Sequence, residues 1–143
     1  LRILPRLDYG DFMGLFSISH HTIDTIDWNG GNSSMQSFSL DCPVVTLPTA
    51  FMRGRHTVAM LEVLELPELI ANDVDDYIAI SGRLLDDESF YLAMRTAIAE
   101  RKQRLFHDKS VAEAFQVAVE TLCRQTPAVG QQPAGVLPFS HVA

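Results

Sequence analysis

The chain has 143 residues, 47% of them apolar and 20% charged, with a formal net charge of −7. That balance fits a compact domain with a single core and excludes a bilayer-spanning segment, since no apolar run is long enough. It also argues against a general nucleic-acid surface, which needs a basic stripe. Leu1 stands where Met would be, and neither the n-region nor the h-region of a signal peptide is present. The chain is therefore expected to be a piece of a longer protein, cut within a domain. Cys42 and Cys123 belong to no spacing motif and are read as reduced, buried thiols of a cytoplasmic protein.

Residues 2–4 read as a short strand. Asp8 is placed to cap a helix with a broad apolar stripe of Phe12, Met13, Leu15, Phe16 and Ile18. A β-branched strand is expected at 22–25, a helix at 33–40 and a proline-fenced strand at 43–48. A helix at about 55–64 and one more short strand at 69–71 follow. Asn72 or Asp73 caps a helix to about Leu85, and Asp86 or Asp87 starts a longer one. Phe90, Leu92, Met94, Ile98 and Leu105 give that helix its apolar side, and Arg101-Lys102-Gln103-Arg104 is a basic last turn suited to its dipole. A final helix at 110–123 is expected to turn Val111, Ala114, Phe115, Ala118, Val119 and Leu122 inward. Residues 1–124 are read as one domain, and residues 125–143, which are rich in proline and glycine, as a disordered tail.

Strands alternating with helices imply an α/β fold with a parallel sheet, whose ligands sit at the carboxyl ends of the strands. Two loops follow strand ends, at 26–32 and 49–54, and both are expected on one rim. The first contains Trp28-Asn29-Gly30-Gly31-Asn32-Ser33-Ser34. A strand, then a glycine-rich turn, then a helix start is the way a backbone cradles a phosphate. Glycine lets the main chain approach the anion, and the first free N–H groups of the helix point at it. An ordinary strand-to-helix turn uses the same residues, with Asn32 or Ser33 as the cap, and the pattern alone does not separate the two. Gln36 lies one turn further on, where a side chain reaches ligand hydroxyls. Arg53, Arg55 and His56 lie on the second loop, and arginine forks suit phosphate oxygens. Basic side chains at a helix start oppose the dipole, which favours a functional reading for Arg55. Asp24 and Asp27 are a formal carboxylate pair, but hydrogen bonds to nearby backbone and turn shaping account for them better. Phe12, Trp28 and Tyr9 are rings able to stack on a base. No metal cluster or nucleophile elbow stands out.

Taken together, Leu4-Pro5-Arg6, Ile23-Asp24-Thr25, Trp28-Asn29-Gly30-Gly31-Asn32-Ser33-Ser34, Pro43-Val44-Val45-Thr46-Leu47-Pro48 and Phe51-Met52-Arg53-Gly54-Arg55-His56-Thr57 resemble the C-terminal region of bacterial O-linked N-acetylglucosamine transferase-like proteins of the SPINDLY type. The resemblance runs from about Leu1 to Cys123. It implies the Rossmann-like C-terminal half of a GT-B glycosyltransferase, with a partial parallel sheet, flanking helices and C-terminal helices. It further implies an inverting, metal-independent protein O-glycosyltransferase that uses a nucleotide sugar, UDP-GlcNAc, without any other cofactor. By the same resemblance Asn32 and Ser33 contact the donor diphosphate, aided by backbone N–H groups near Gly31 and Ser34. Gln36 falls at a ribose-binding position, Leu7 where backbone reads the base, Phe12 where a ring packs on it, and Arg55 at a basic position of the second loop. The implied partners are a protein acceptor with Ser or Thr hydroxyls, an upstream acceptor-side half and tetratricopeptide repeats. No catalytic residue is assigned within the chain. Three departures stand out. Gln36 replaces a carboxylate, Asp41 stands where Gly commonly precedes the Pro-Val-Val strand, and Thr49-Ala50 replaces a Pro-Gly-type turn. Gln36 and Asp41 give weight to the alternative, a non-catalytic nucleotide-binding-like module acting as a scaffold.

Overall fold

The structure, a computed structural model, describes residues 2–125 and divides into two units, Leu1–His107 and Asp108–Ala143. In chain order the first unit contains α1 (Tyr9–Ile18), β1 (Thr22–Ile23), α2 (Asn32–Ser39), β2 (Val44–Val45), α3 (His56–Leu64), α4 (Val74–Asp86), α5 (Glu88–Arg101) and α6 (Gln103–Phe106). Two 3-10 turns, Met52–Gly54 and Pro67–Leu69, precede α3 and α4. The unit is mostly helical around a small parallel sheet. Thr22 lies opposite Val44 and Ile23 opposite Val45, and a single parallel bridge joins Thr46 to Ile70.

The strands expected at 22–25, 43–48 and 69–71 therefore exist in shortened form, in the expected parallel sense. The strand expected at 2–4 does not form. A β-prone segment becomes a strand only when a neighbouring ladder takes its N–H and C=O groups. Arg2, Ile3 and Leu4 are exposed and pair with no ladder.

The core is made by the sheet and the inner faces of α2 to α5. Phe38, Val45, Leu61, Leu64, Leu84 and Ile98 are essentially fully buried, each contributing about 1.5–3 kcal/mol from apolar burial. Phe90 and Met94 join them from α5, while Leu92 stays exposed. The stripe expected on α1 is narrower than its sequence: only Phe16 is buried, and Ile18 is 82% exposed. α1 packs against α2, and a helix lying on one neighbour buries one edge, not a broad face.

Three helices start on aspartates whose side chains accept a first-turn amide: Asp8 for α1, Asp73 for α4 and Asp87 for α5. The basic turn after α5 acts away from its own helix. Arg101 donates to the carbonyls of Leu64 and Glu65 at 3.0 and 2.9 Å, at the end of α3. Lys102 donates to the Ser39 carbonyl at 2.9 Å and pairs with Asp41 at 2.7 Å, at the end of α2. Both helices end next to a left-handed residue, Asp41 at φ 60° and Glu65 at φ 56°. This accounts for Asp41 where glycine is common. The position needs positive φ, which Asp tolerates among non-glycine residues, and Lys102 neutralises the carboxylate.

The second unit, taken by itself, contains α7 (Ser110–Gln125). None of the residues of α7 is buried, so the inward face expected for Val111, Ala114, Phe115, Ala118, Val119 and Leu122 is not observed. The helical period is correct, but period alone does not supply the burial. Cys42 is a buried free thiol as expected, whereas Cys123 on α7 is exposed. The tail expected at 125–143 lies outside the described residues except for Gln125, which closes α7. Among the described residues no helix is long and apolar enough to cross a membrane.

Candidate functional site

The site begins at Asp24, where β1 leaves the sheet. Its backbone N–H bonds to the Val45 carbonyl at 2.9 Å, and the residue is 7% exposed. Oδ1 accepts the amides of Gly30 at 2.7 Å and Thr25 at 3.0 Å, and Oδ2 accepts the Thr46 hydroxyl at 3.1 Å. One side chain thus closes the loop 25–30 and ties it to β2. The Tyr77 hydroxyl of α4 donates to the Asp24 carbonyl at 2.6 Å. Burial, and then the charge of Asp24, hold that phenol above its usual 10.0. Asp27 turns the chain with a left-handed φ of 68°. The Asp24 carboxylate is thus committed to holding the loop, while Asp27 serves it through its backbone, and no hydrogen bond links the two carboxylates.

Gly30 and Gly31 differ in kind. A Cβ on Gly30 would collide with the hydroxyls of Ser33 and Ser34, whereas a Cβ on Gly31 would meet open space. The Gly30 carbonyl accepts from the Thr57 hydroxyl at 3.2 Å, and Thr57 Oγ1 lies 2.9 Å from Ser34 Oγ. Ser34 and Thr57 are buried, Asn32 and Ser33 exposed.

α2 then opens without a side-chain cap. Gly31 is the capping residue, so neither Asn32 nor Ser33 caps; both lie in the first turn. The Met35 amide reaches the Gly31 carbonyl at 3.2 Å. Among the described residues no acceptor pairs with the amides of Gly31, Asn32, Ser33 or Ser34. α3 also lacks a side-chain cap: Arg55 is its capping residue. Both helices that start from the loops expected on one rim are therefore uncapped, as is the short α6, which runs on from Lys102.

The loops are joined. The Asn29 amide donates to the Arg53 carbonyl at 2.8 Å, and Arg53 Nε donates to the Asp27 carbonyl at 3.2 Å. The Arg53 guanidinium lies over the rings of Phe51 and Trp28, at 4.6 and 5.7 Å from their centroids. Gly54 packs against the Thr49 side chain too tightly to carry a Cβ and lies beside the Asp27 backbone. Asn29, 4% exposed, donates from Nδ2 to the Thr25 carbonyl at 2.9 Å, and its Oδ1 is buried without a partner.

The fold thus brings Gly31, Asn32, Ser33 and Ser34 to one place and sets the loop of Arg55 beside them. Arg55 is exposed, and its guanidinium makes no hydrogen bond or ion pair among the described residues. It lines the mouth of an open groove of about 640 Å³ that runs along α3 past Ala59 and Val63 to Leu105. Gln36 is half-buried on the second turn of α2. Leu7 and Phe12 belong to the α1 side of α2. Both are half-buried, and the Phe12 ring meets Phe16 edge-on at 5.0 Å; no hydrogen bond or ring contact joins either to the two loops. Thr57 carries as much of the local architecture as any residue named from the sequence. Its only sequence signal is a hydroxyl in the first turn of a helix that starts on the second loop. Among the described residues no three His, Cys, Asp or Glu side chains group to hold a metal ion.

Comparison with known proteins bears on this geometry. The family profile of glycosyl transferase family 41 matches residues 17–115. The chain belongs to glycosyl transferase family 41. Over 85 residues, 59% of its length, it is 27% identical to the UDP-N-acetylglucosamine–peptide N-acetylglucosaminyltransferase of Giardia intestinalis, of which it covers 6%. Its fold matches a mutant of the Thermobaculum terrenum O-GlcNAc transferase with a TM-score of 0.68 and 25% identity, over 87% of this chain and 23% of that one. This family 41 chain therefore spans under a quarter of each relative, and the match takes in both rim loops and the uncapped starts of α2 and α3.

Proposed function

We propose that this family 41 chain is the donor-binding part of a protein O-glycosyltransferase, and that it corresponds to the Rossmann-like C-terminal half of a GT-B enzyme of the SPINDLY type. The donor is UDP-GlcNAc. Its diphosphate lies at the mouth of α2, against the amides of Gly31, Asn32 and Ser33, with Arg55 as the cation of the neighbouring loop. One observation carries this reading: in a family 41 chain, α2 leaves its first amides unpaired beside a glycine whose Cβ position is already filled. Such a mouth takes an anion by N–H donation and by the helix dipole.

In this reading transfer is inverting. A Ser or Thr hydroxyl of the protein acceptor attacks the anomeric carbon of the sugar, the bond to the diphosphate oxygen breaks, and UDP leaves with the electron pair. The chain's part is to stabilise charge growing on the leaving diphosphate, without a metal. The base that takes the hydroxyl proton belongs to an acceptor-side half outside this chain, as do the tetratricopeptide repeats of a cytoplasmic protein. The chain by itself is then expected to bind UDP weakly and to transfer nothing. Titrating UDP into the labelled chain tests this by NMR: the amides of residues 30–36 should shift at millimolar UDP. Undisturbed resonances there refute it. The second reading, a scaffold without donor binding, is favoured by Gln36, an uncharged side chain at the ribose-binding position implied by the resemblance; it predicts that null titration.

A further inference from the structure

We propose that Thr57 is a positioning residue for the donor diphosphate: its hydroxyl holds the Gly30 carbonyl inward and so aims the Gly31 amide outward at the anion. This rests on the donor-binding reading above.

The inference follows from a count of protons and from peptide geometry. Thr57 is fully buried. Its single hydroxyl proton goes to the Gly30 carbonyl at 3.2 Å. Ser34 Oγ, at 2.9 Å, must then be the donor to Thr57 Oγ1, so the bonds run from Ser34 to Thr57 to Gly30. At the other end of the same residue, the Gly30 N–H is held by Asp24 Oδ1 at 2.7 Å. No peptide bond here is cis, and in a trans peptide the C=O of one residue and the N–H of the next point opposite ways. A Gly30 carbonyl fixed on the α3 side therefore leaves the Gly31 N–H pointing away from α3, and that amide has no acceptor among the described residues.

The glycine makes this hold necessary. With no Cβ, a Gly-Gly peptide flips at little cost. A flip would turn the Gly30 carbonyl oxygen to the mouth of α2 and set a negative dipole against the phosphate. Asp24 fixes only the peptide before Gly30, so the peptide after it depends on Thr57. Because Thr57 lies in the first turn of α3, two residues after Arg55, the second loop also sets the orientation of the first loop's amide. That is how two loops distant in sequence work as one anion site.

The test uses this chain with three variants and three probes. Thr57→Val keeps the shape and removes the hydroxyl, Thr57→Ser keeps the hydroxyl, and Thr57→Ala is the partner of Thr57→Ser lacking only that group. Binding of UDP, of inorganic pyrophosphate and of uridine is measured by NMR titration, together with the position of the Gly31 amide resonance. One charge-assisted hydrogen bond is worth about a ten- to hundredfold change in affinity. Thr57→Val should weaken UDP and pyrophosphate by that factor, leave uridine within about threefold, and move the Gly31 resonance. Thr57→Ser should restore UDP to within about threefold of the parent. A merely structural role would weaken uridine as much as UDP, and that result overturns the proposal. So does Thr57→Val binding UDP like the parent, or Thr57→Ser failing to rescue. Where Thr57→Val does not fold, the comparison of Thr57→Ala with Thr57→Ser decides in the same way. If the parent chain binds no UDP, the donor reading fails on its own. The Gly31 resonance of the variants still reports whether the peptide was held, and an unmoved resonance overturns the positioning role separately.

Discussion

Asp24 supplies the sharpest stability prediction, because two substitutions at one atom separate charge from hydrogen bonding. Asp24→Ala unpairs three donors. The Thr25 amide is exposed enough for water to replace its bond, so it contributes little. The Gly30 amide loses a 2.7 Å bond to a carboxylate, and the fully buried Thr46 hydroxyl loses its acceptor. At about 1.5–3 kcal/mol for a bond to a charged group and about 1–2 kcal/mol for a stranded buried hydroxyl, the gross loss is about 3–5 kcal/mol. Relief of carboxylate desolvation offsets part of it, leaving about 3 kcal/mol. Asp24→Asn keeps an oxygen for Gly30 and offers an NH2 that the Thr46 oxygen accepts, so its loss is about 1 kcal/mol. Urea unfolding followed by far-UV circular dichroism measures both, and the m-value should match the parent's. Equal losses in the two variants would mean that the negative charge, not the bond to the loop, is what the fold needs. A loss under about 1 kcal/mol for Asp24→Ala would mean that the loop does not depend on this side chain.

Other outcomes are expected from the same structure. Gly30→Ala should cost about 1–3 kcal/mol, because its methyl meets the Ser33 and Ser34 hydroxyls, while Gly31→Ala, facing open space at an ordinary φ of −90°, should stay within about 1 kcal/mol of the parent in the same urea assay. Lys102→Met should lose about 1–2 kcal/mol with the Asp41 ion pair and the bond to the Ser39 carbonyl. Asp41→Gly should relieve the need for that cation, so the double variant should unfold at a higher urea concentration than the sum of the single losses predicts. Burial, and then the charge on His20, hold His21 below its usual 6.5. The folded state thus binds fewer protons than the unfolded chain, and the stability due to neutral His21 is complete above pH 6.5 and falls as pH drops from there through the folded value. Urea midpoints between about pH 5 and 7.5 should decline on the acid side, and His21→Asn should flatten that decline.

What the sequence conveyed was local. Asp8 was readable as a cap, and Asp73 and Asp87 to within one residue, because a cap and its amide lie within four residues of each other. The glycine turn and helix start at 30–34 were readable for the same reason, being contiguous, and the two loops could be placed on one rim from strand polarity. Features set by distant partners were not readable. Thr57 owes its role to Gly30 and Ser34, each more than 20 positions away. Lys102 and Arg101 looked like dipole partners of α5, yet they close α2 and α3, because no local pattern says which helix end a long cation reaches. The strand at 2–4 and the inward face of α7 were misread alike, because propensity and period describe what a segment can do and do not by themselves supply pairing or burial. Leu7 was named through the resemblance alone, whereas Gln36 and Arg55 were first marked by their places at two helix starts and Phe12 by its ring.

The polarity of α2 and α3 ties these strands of reasoning together. α1, α4 and α5 spend an aspartate each on their first turns; α2 and α3, which start at the rim, spend none. Glycine in place of aspartate at a cap costs a helix only about a few tenths of a kcal/mol, and a Cβ at position 31 would meet nothing within 4 Å. The far ends of the same helices are closed by Lys102 and Arg101, which offset part of that cost where no ligand would be disturbed. Departures from local preference gather where a binding surface needs them. In the proposed function the diphosphate takes the place of the absent cap on α2. Donor binding and the ordering of that first turn are then one event. Donor at a hundred times its dissociation constant would add about 2.7 kcal/mol to the stability of the unit, more than the helix gives up by starting bare.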